Sequence, residues 1–149
     1  MSRESIELVN VLIPQGTDIV PLLRDEDSSA QALEALRAFL TDDFESVVVF
    51  GGQTRTRSGV EGLRENWLDW LEPWASYRVT VEDVIDAGEH VVALTRNYGR
   101  REDMEAEVEL VAAAVFTLRT GKVARWEDYA DRATALTAVG LSENVRTSS

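Results

Sequence analysis

Apolar residues in the first half of the chain recur three or four positions apart, a spacing that predicts amphipathic helices. A first helix is expected from a Ser2 cap to the break at Pro14-Gln15-Gly16, followed by a short helical turn over residues 18–23. Two longer helices are expected. One includes the apolar residues between positions 33 and 40, and the other covers residues 58–71. The apolar positions behind these predictions are Ile6, Val9, Leu12, Ile13, Leu33, Leu36, Phe39, Leu40, Leu63, Trp67, Trp70, Leu71 and Trp74.

The other segments favour β-strands, because Val, Thr and aromatic residues dominate them between turn signals. A strand at 44–50 ends at Gly51-Gly52, and the polar residues 53–57 are expected to be loop or frayed strand. Helices that precede a run of antiparallel strands predict an α+β fold. The remaining strands are expected at 77–85, 91–100, 106–118 and 123–129, before a closing helix at 132–139 that Asp131 caps.

The composition narrows the possible functions. The chain has 149 residues, which suits one domain over residues 1–149, and it has no cysteine, so disulfides and thiolate sites are excluded. Its net charge of −12 disfavours nucleic acid and anionic membranes as partners. No apolar run approaches the ~20 residues that cross a bilayer. We therefore expect a cytoplasmic protein that binds neither nucleic acid nor membrane.

The last strand and helix carry the most specific pattern. Gly121-Lys122 opens a strand that bears Trp126, Asp128 and Tyr129, and Asp131 then begins a helix that Gly140 ends. This pattern resembles the nuclear transport factor 2-like fold, which includes SnoaL-like polyketide cyclases, ketosteroid isomerase, scytalone dehydratase and limonene epoxide hydrolase. The resemblance implies a cone-shaped α+β barrel, with the N-terminal helices packed in the concave face of a strongly curved antiparallel sheet. It also implies one pocket for a small hydrophobic molecule.

Side-chain alternation sorts the strand at 106–118 into two faces, both apolar at the centre. A sheet with two apolar faces should be covered on both. Helices would cover one face, and we expect a second copy of the chain to cover the other, in a homodimer built on Val111, Ala113 and Val115. The alternative is a small exposed apolar face, because scattered exposed apolar residues are normal.

The resemblance to limonene epoxide hydrolase suggests catalytic residues. Asp128 matches the catalytic aspartate of that enzyme, and Arg96 matches its bridging arginine, so the two side chains are expected to meet inside the cavity. Tyr98 stands where the enzyme has a second aspartate, and its hydroxyl could donate to an oxyanion. The alternative is a structural ion pair between Asp128 and Arg96, since such pairs perturb carboxylates as catalytic sites do.

Apolar residues expected to line the pocket lie on the third helix and on the strands. An aromatic stripe at helical spacing also serves core packing, and the two interpretations stay open for these residues. The only histidine, His90, follows a hairpin turn, and no group of ligands has metal-site spacing, so neither a metal nor a cofactor is expected. The expected pocket residues are Trp126, Phe116, Trp67, Leu110, Ala112 and Leu94.

Two functions follow from these patterns. The first is a cofactor-free acid/base enzyme of the isomerase, cyclase, dehydratase or hydrolase type, in which Asp128 moves a proton. The second is a non-catalytic ligand-binding or dimerisation module of the same fold, because the water-holding residues of the epoxide hydrolase have no counterpart near Val49 and Gly51.

Overall fold

The computed structural model describes residues 3–141 and has an α+β architecture, as the segregation of helical and strand patterns predicts. The helices are α1 (Arg3–Leu12), α2 (Ile19–Arg24), α3 (Glu26–Leu36), α4 (Gly59–Leu71) and α5 (Arg132–Ala138), with a 3₁₀ turn at Arg37–Phe39. The strands are β1 (Leu40–Phe50), β2 (Gln53–Ser58), β3 (Trp74–Ala87), β4 (His90–Arg101), β5 (Glu107–Arg119) and β6 (Lys122–Tyr129). No helix within the described residues is long and apolar enough to cross a bilayer.

Local chemistry explains most of these boundaries. Asp25 and Asp131 accept hydrogen bonds from backbone N–H groups at the starts of α3 and α5. Asp18 Oδ1 accepts from the N–H groups of both Val20 and Tyr77, so the cap of α2 also holds that helix against β3. The Ser2 cap that the sequence predicts for α1 lies outside the described residues.

The six strands form one curved, unclosed sheet in the order β2-β1-β6-β5-β4-β3. Four of the five pairs of neighbouring strands are antiparallel, as expected for this sheet, and β1 pairs with β6 in parallel. Residues 53–57 were expected to be loop or frayed strand, and residues 53–58 form the edge strand β2, which pairs with β1 over its whole length. Leu40 begins β1 and Trp74 begins β3, although their spacing suggested that they continued helices.

The two faces of the sheet have different covers. We call the face packed on α1–α4 the inner face, and its core includes Val91, Ala93, Ala114, Phe116 and Trp126. We call the face packed on α5 the outer face, and its smaller core joins Val92, Leu94, Ala113, Val115 and Tyr129 to Ala135 and Leu136. The guanidinium of Arg132 donates to the carbonyl oxygens of Thr95 and Ala112 and holds the start of α5 against this face.

Helix α5 covers the outer face that was expected to need a second copy of the chain. Ala113 is 3% exposed and Val115 is 0% exposed within a single chain, because α5 packs over both. Val111 is 41% exposed and is the one residue of the three that the chain itself leaves open. The apolar outer face of β5 therefore does not require a second copy to cover it, and the homodimer stays a prediction.

Gly99 should be the least replaceable residue of β4. A Cβ atom at this position would lie 2.6 Å from the indole of Trp74, closer than van der Waals contact allows. The guanidinium of Arg101 stacks on the same ring, with Cζ 5.0 Å from its centroid, so the indole has little room to move. We expect Gly99→Ala to lower the free energy of unfolding by about 1–3 kcal/mol in urea denaturation, as overpacking does.

A double-mutant cycle tests this cause. In a Trp74→Leu background the clash partner is absent, so Gly99→Ala should cost less there than in the wild-type background. Equal costs in the two backgrounds would show that the indole is not the reason that glycine occupies this position.

Candidate functional site: a buried carboxylate in an apolar cavity

A cavity of about 310 Å³ lies between the inner face of the sheet and the helices α1–α4. Its walls are mostly aliphatic and aromatic, as in sites that hold small organic molecules. Polar side chains reach it from the strands at Thr95, Asn97 and Asp128, and Arg64 reaches it from α4. Prominent apolar wall residues are Leu12, Ile19, Leu33, Leu63, Trp67 and Val79.

Asp128 is the only carboxylate that lines this cavity within residues 3–141. It is 8% exposed, and Oδ1 accepts a hydrogen bond of 3.0 Å from Nε1 of Trp126. Its second oxygen, Oδ2, is buried and has no hydrogen-bond partner. Burial raises the pKa of Asp128 from 3.8 to about 7, against a smaller lowering by the Trp126 hydrogen bond. The carboxyl group can therefore be protonated or ionised near neutral pH.

The orientation of Asp128 comes from its strand. Residues 126 and 128 are two positions apart on β6, so both side chains point to the inner face. The Trp126 indole packs against Phe116 in an edge-to-face contact, with ring centroids 5.0 Å apart. Because this contact fixes the indole, its N–H stays directed at Asp128 Oδ1.

A second polar group, which the sequence analysis did not identify, lies on β3 and β4. Asn97 is 3% exposed and lines the cavity, and its amide is 2.9 Å from the hydroxyl of Tyr77. The same hydroxyl receives a hydrogen bond of 3.0 Å from Nε1 of Trp70. Burial, with a contribution from the nearby Asp128 charge, raises the pKa of Tyr77 and keeps its hydroxyl protonated.

Arg96 and Tyr98 do not lie in the cavity, so the expected meeting of Arg96 with Asp128 is corrected. The guanidinium of Arg96 pairs with Glu82 at 3.2 Å and with Glu109 at 3.2 Å. Tyr98 lies on the same outer face, where the guanidinium carbon of Arg78 is 4.8 Å from its ring centroid. The physical reason is alternation along β4, because residues 95 and 97 occupy the inner face and their neighbours 94, 96 and 98 the outer face.

The sequence contained a signal for the correct face of β4. Arg96, Tyr98 and Arg100 share one face, whereas Thr95, Asn97 and Gly99, which carry no charge, share the other. Two arginines on one face of a strand indicate the solvent side. That argument selects Asn97 for the cavity without any comparison to an enzyme.

The predicted pocket residues divide among three places. Trp126, Trp67 and Ala112 line the cavity. Phe116 lies behind Trp126 in the inner core, and Leu110 lines a neighbouring hollow of about 580 Å³ that shares Trp70 and Ala112 with the cavity. Leu94 belongs to the outer core under α5, so its expected place in the pocket is corrected for the same reason as that of Arg96.

Neither a cluster of candidate metal ligands nor the histidine lies at the cavity in the described part of the chain. Among residues 3–141, no group of three or more His, Cys, Asp or Glu side chains is close enough together to hold a metal ion. His90 lies at the start of β4, and its Nδ1 is 3.0 Å from the hydroxyl of Thr117.

Several solved structures share this architecture. A protein from Jannaschia sp. CCS1, assigned to the SnoaL-like polyketide cyclases, is 21% identical with a TM-score of 0.60, over 93% of this chain and 95% of that one. A protein with a ketosteroid isomerase-like fold from Catenulispora acidiphila, solved in complex with trimethylamine, is 16% identical with a TM-score of 0.57, over 95% of both chains. A limonene epoxide hydrolase-like enzyme from M. tuberculosis is 19% identical with a TM-score of 0.50, over 85% of this chain and 81% of that one.

These similarities and the cavity define a protein of the nuclear transport factor 2-like cone fold, as the pattern of the last strand and helix predicts. The chain belongs to the SnoaL-like domain family, whose family model matches residues 26–126. No functionally curated protein matches the chain in sequence. At identities this low, the solved structures support the fold and leave the activity to be argued from the site.

Proposed function

We propose that the chain is a cofactor-free acid/base enzyme that moves a proton on a small hydrophobic molecule held in the cavity. One observation carries the proposal: Asp128 lines an apolar cavity and has a buried carboxyl oxygen without a hydrogen-bond partner, with no cation paired to it among the described residues. Membership of the SnoaL-like family supports it, because that fold hosts isomerases, cyclases and epoxide hydrolases.

The pKa of Asp128 suits a group that transfers protons near neutral pH. A group that transfers protons works best when its pKa lies near the working pH, because both the accepting and the donating form are then populated. Burial brings the pKa of Asp128 to about 7. The hydrogen bond from Trp126 fixes Oδ1, so Oδ2 is the atom that would give or take the proton. The proposal assigns the transfer to Asp128 and gives no part in it to Arg96 or Tyr98.

A titration tests the acid/base group without a known substrate. The indole N–H resonance of Trp126, followed by ¹H–¹⁵N NMR, should shift with pH around a midpoint of about 7, because its acceptor Oδ1 changes charge there. The shift should disappear in Asp128→Asn. It should persist in Glu127→Gln, a matched control on the outer face, where Glu127 accepts from the Tyr129 hydroxyl. A midpoint near 4 in the wild type would contradict the buried-carboxyl account.

Turnover is tested by proton exchange. The wild-type protein in D₂O should accelerate the exchange of protons next to the carbonyl in a panel of apolar aryl and cyclic ketones, measured by ¹H NMR. Asp128→Asn should lose this acceleration by ~10²-fold or more, the usual contribution of a general acid or base. Equal rates in wild type and Asp128→Asn, or no acceleration of any ketone, would remove the proposed activity.

A non-catalytic ligand-binding module is the second candidate. It is favoured by the composition of the cavity, because Asp128 has no second carboxylate or histidine beside it among the described lining residues. Saturable binding of a ligand that is recovered unchanged, together with an absence of proton exchange, would select this function.

A further inference from the structure

We propose that Asn97, oriented by Tyr77 and Trp70, is the residue that recognises the polar group of the ligand, and that it does so by donating a hydrogen bond to a carbonyl oxygen. The proposal rests on the proposed use of the cavity as a ligand site and adds the class of ligand and the residue that selects it. It stands on the hydrogen-bond partners of three side chains, and Asp128 has no part in it.

The hydrogen bonds of Tyr77 set the direction of this network. An indole N–H can only donate, so the Tyr77 oxygen must accept from Trp70, at 3.0 Å. With Nδ2 of Asn97 facing Tyr77 at 2.9 Å, the tyrosine oxygen accepts a second hydrogen bond. The Tyr77 proton then has no acceptor among the described residues, and Oδ1 of Asn97 is buried without a partner.

A half-turn of the Asn97 amide satisfies both groups. The two ends of an asparagine amide have the same shape, so the surrounding hydrogen bonds decide which end faces which neighbour. With Oδ1 facing Tyr77, the hydroxyl donates its proton to that oxygen, so the Trp70 N–H and the Tyr77 O–H both have acceptors and only the NH₂ group of Asn97 is left without a partner. Unpaired buried polar groups are costly, so this orientation is the one that the network favours.

The consequence is a donor at the wall of the cavity. In this orientation the NH₂ group of Asn97 takes the unpartnered position, on a side chain that is 3% exposed and lines the cavity. A hydrogen-bond acceptor on the ligand satisfies it, and the surrounding walls are apolar. The matching ligand is an apolar molecule that carries a carbonyl group.

Two probes with one carbon skeleton test this inference: 2-acetylnaphthalene, which has the carbonyl oxygen, and 2-ethylnaphthalene, which lacks it. Dissociation constants would be measured by the quenching of tryptophan fluorescence for the wild type, Asn97→Leu and Tyr77→Phe. Asn97→Leu should weaken binding of the ketone about tenfold, the effect of losing one hydrogen bond, and leave binding of the hydrocarbon unchanged. Tyr77→Phe should act in the same direction with a smaller effect, because it frees the Asn97 amide to turn.

Asn66→Leu is the matched control, because Asn66 is also a buried amide, 1% exposed, but it donates to Ser46 and does not line this cavity. Its ratio of ketone to hydrocarbon affinity should equal the wild-type ratio. In the wild type, the side-chain NH₂ resonances of Asn97 should move on adding the ketone and stay in place on adding the hydrocarbon. This measurement needs no variant to fold.

The outcomes separate the two proposals. If both probes bind and Asn97→Leu leaves the affinity ratio unchanged, the recognition role of Asn97 is wrong while the cavity remains a ligand site. If Asn97→Leu strengthens binding of the ketone, Oδ1 rather than NH₂ faces the cavity, and the inference is also overturned. If neither probe binds the wild type, the ligand site itself fails, and the proposed function fails with it.

Discussion

Asp128→Asn should raise the free energy of unfolding at pH 8 by an amount that approaches roughly 4 kcal/mol, since each pKa unit is worth about 1.4 kcal/mol. The reason is the cost of burying the ionised carboxylate, which raises the pKa of Asp128 from 3.8 to about 7. Asparagine keeps an oxygen for the Trp126 hydrogen bond and carries no charge. A substitution in the proposed catalytic site is thus expected to stabilise the protein while removing its activity, as at other functional sites that store unfavourable interactions.

The sign of this effect depends on pH. Below pH 3.8 Asp128 is protonated in both the folded and the unfolded chain and contributes no difference. Between pH 3.8 and about 7 the unfolded chain is ionised and the folded chain still holds the proton, so wild-type stability falls relative to the variant as pH rises. Above about pH 7 both states are ionised and the difference stays constant.

Urea denaturation of both proteins at pH 4.5, 6 and 8 measures this difference. The gap between variant and wild type should widen across the series. A difference in the free energy of unfolding that is the same at all three pH values would mean that the substitution acts through packing. It would also mean that ionising Asp128 does not destabilise the folded chain.

Phe116→Ala should lower the free energy of unfolding by about 3–5 kcal/mol, the usual cost of removing a buried phenyl ring. Phe116 is 0% exposed and supports the Trp126 indole, with ring centroids 5.0 Å apart. Without the phenyl ring, the indole loses the contact that directs its N–H at Asp128. Because that hydrogen bond lowers the pKa of Asp128, its loss should move the pKa further upward.

The midpoint of urea denaturation measures the stability loss, and ¹³C NMR of the Asp128 carboxyl measures the pKa. Phe50→Ala is the matched control, because Phe50 is 63% exposed at the end of β1 and should cost less than about 1.5 kcal/mol. A loss below 2 kcal/mol in Phe116→Ala would show that the ring is not essential to the inner core. An unchanged pKa would show that Trp126 keeps its position without it.

The sequence alone predicted the secondary structure well where one pattern dominated. Helix α4 over residues 59–71 and the strands β3–β6 lie where the spacing of apolar residues and the turn signals placed them. Prediction was least definite where long-range pairing decides. The pattern of residues 53–57 left loop and frayed strand open because these residues are polar, and residues 53–58 form β2 by hydrogen bonding to β1.

The sequence predicted only some of the residues that line the cavity. Asp128 was found through the resemblance to limonene epoxide hydrolase, and Trp126 because it shares the inner-facing side of β6 with Asp128. Arg96 was chosen by the same resemblance and Tyr98 by its residue type, and the alternation of β4 places both on the outer face instead. Asn97 was missed because the choice of Arg96 by resemblance placed the opposite face of β4 in the cavity, although the charges on β4 mark the face of Asn97 as the inner one.

The sequence by itself determined helices α4 and α5, the strands β3–β6 and the α+β class, because periodicity and turn chemistry are local properties of the chain. Tertiary structure decided the parallel pairing of β1 with β6, the packing of α5 over the outer face, and the hydrogen bonding of Trp70 and Asn97 to the Tyr77 hydroxyl. It also decided the pKa of Asp128, because the cost of burying a carboxylate depends on what surrounds it in space.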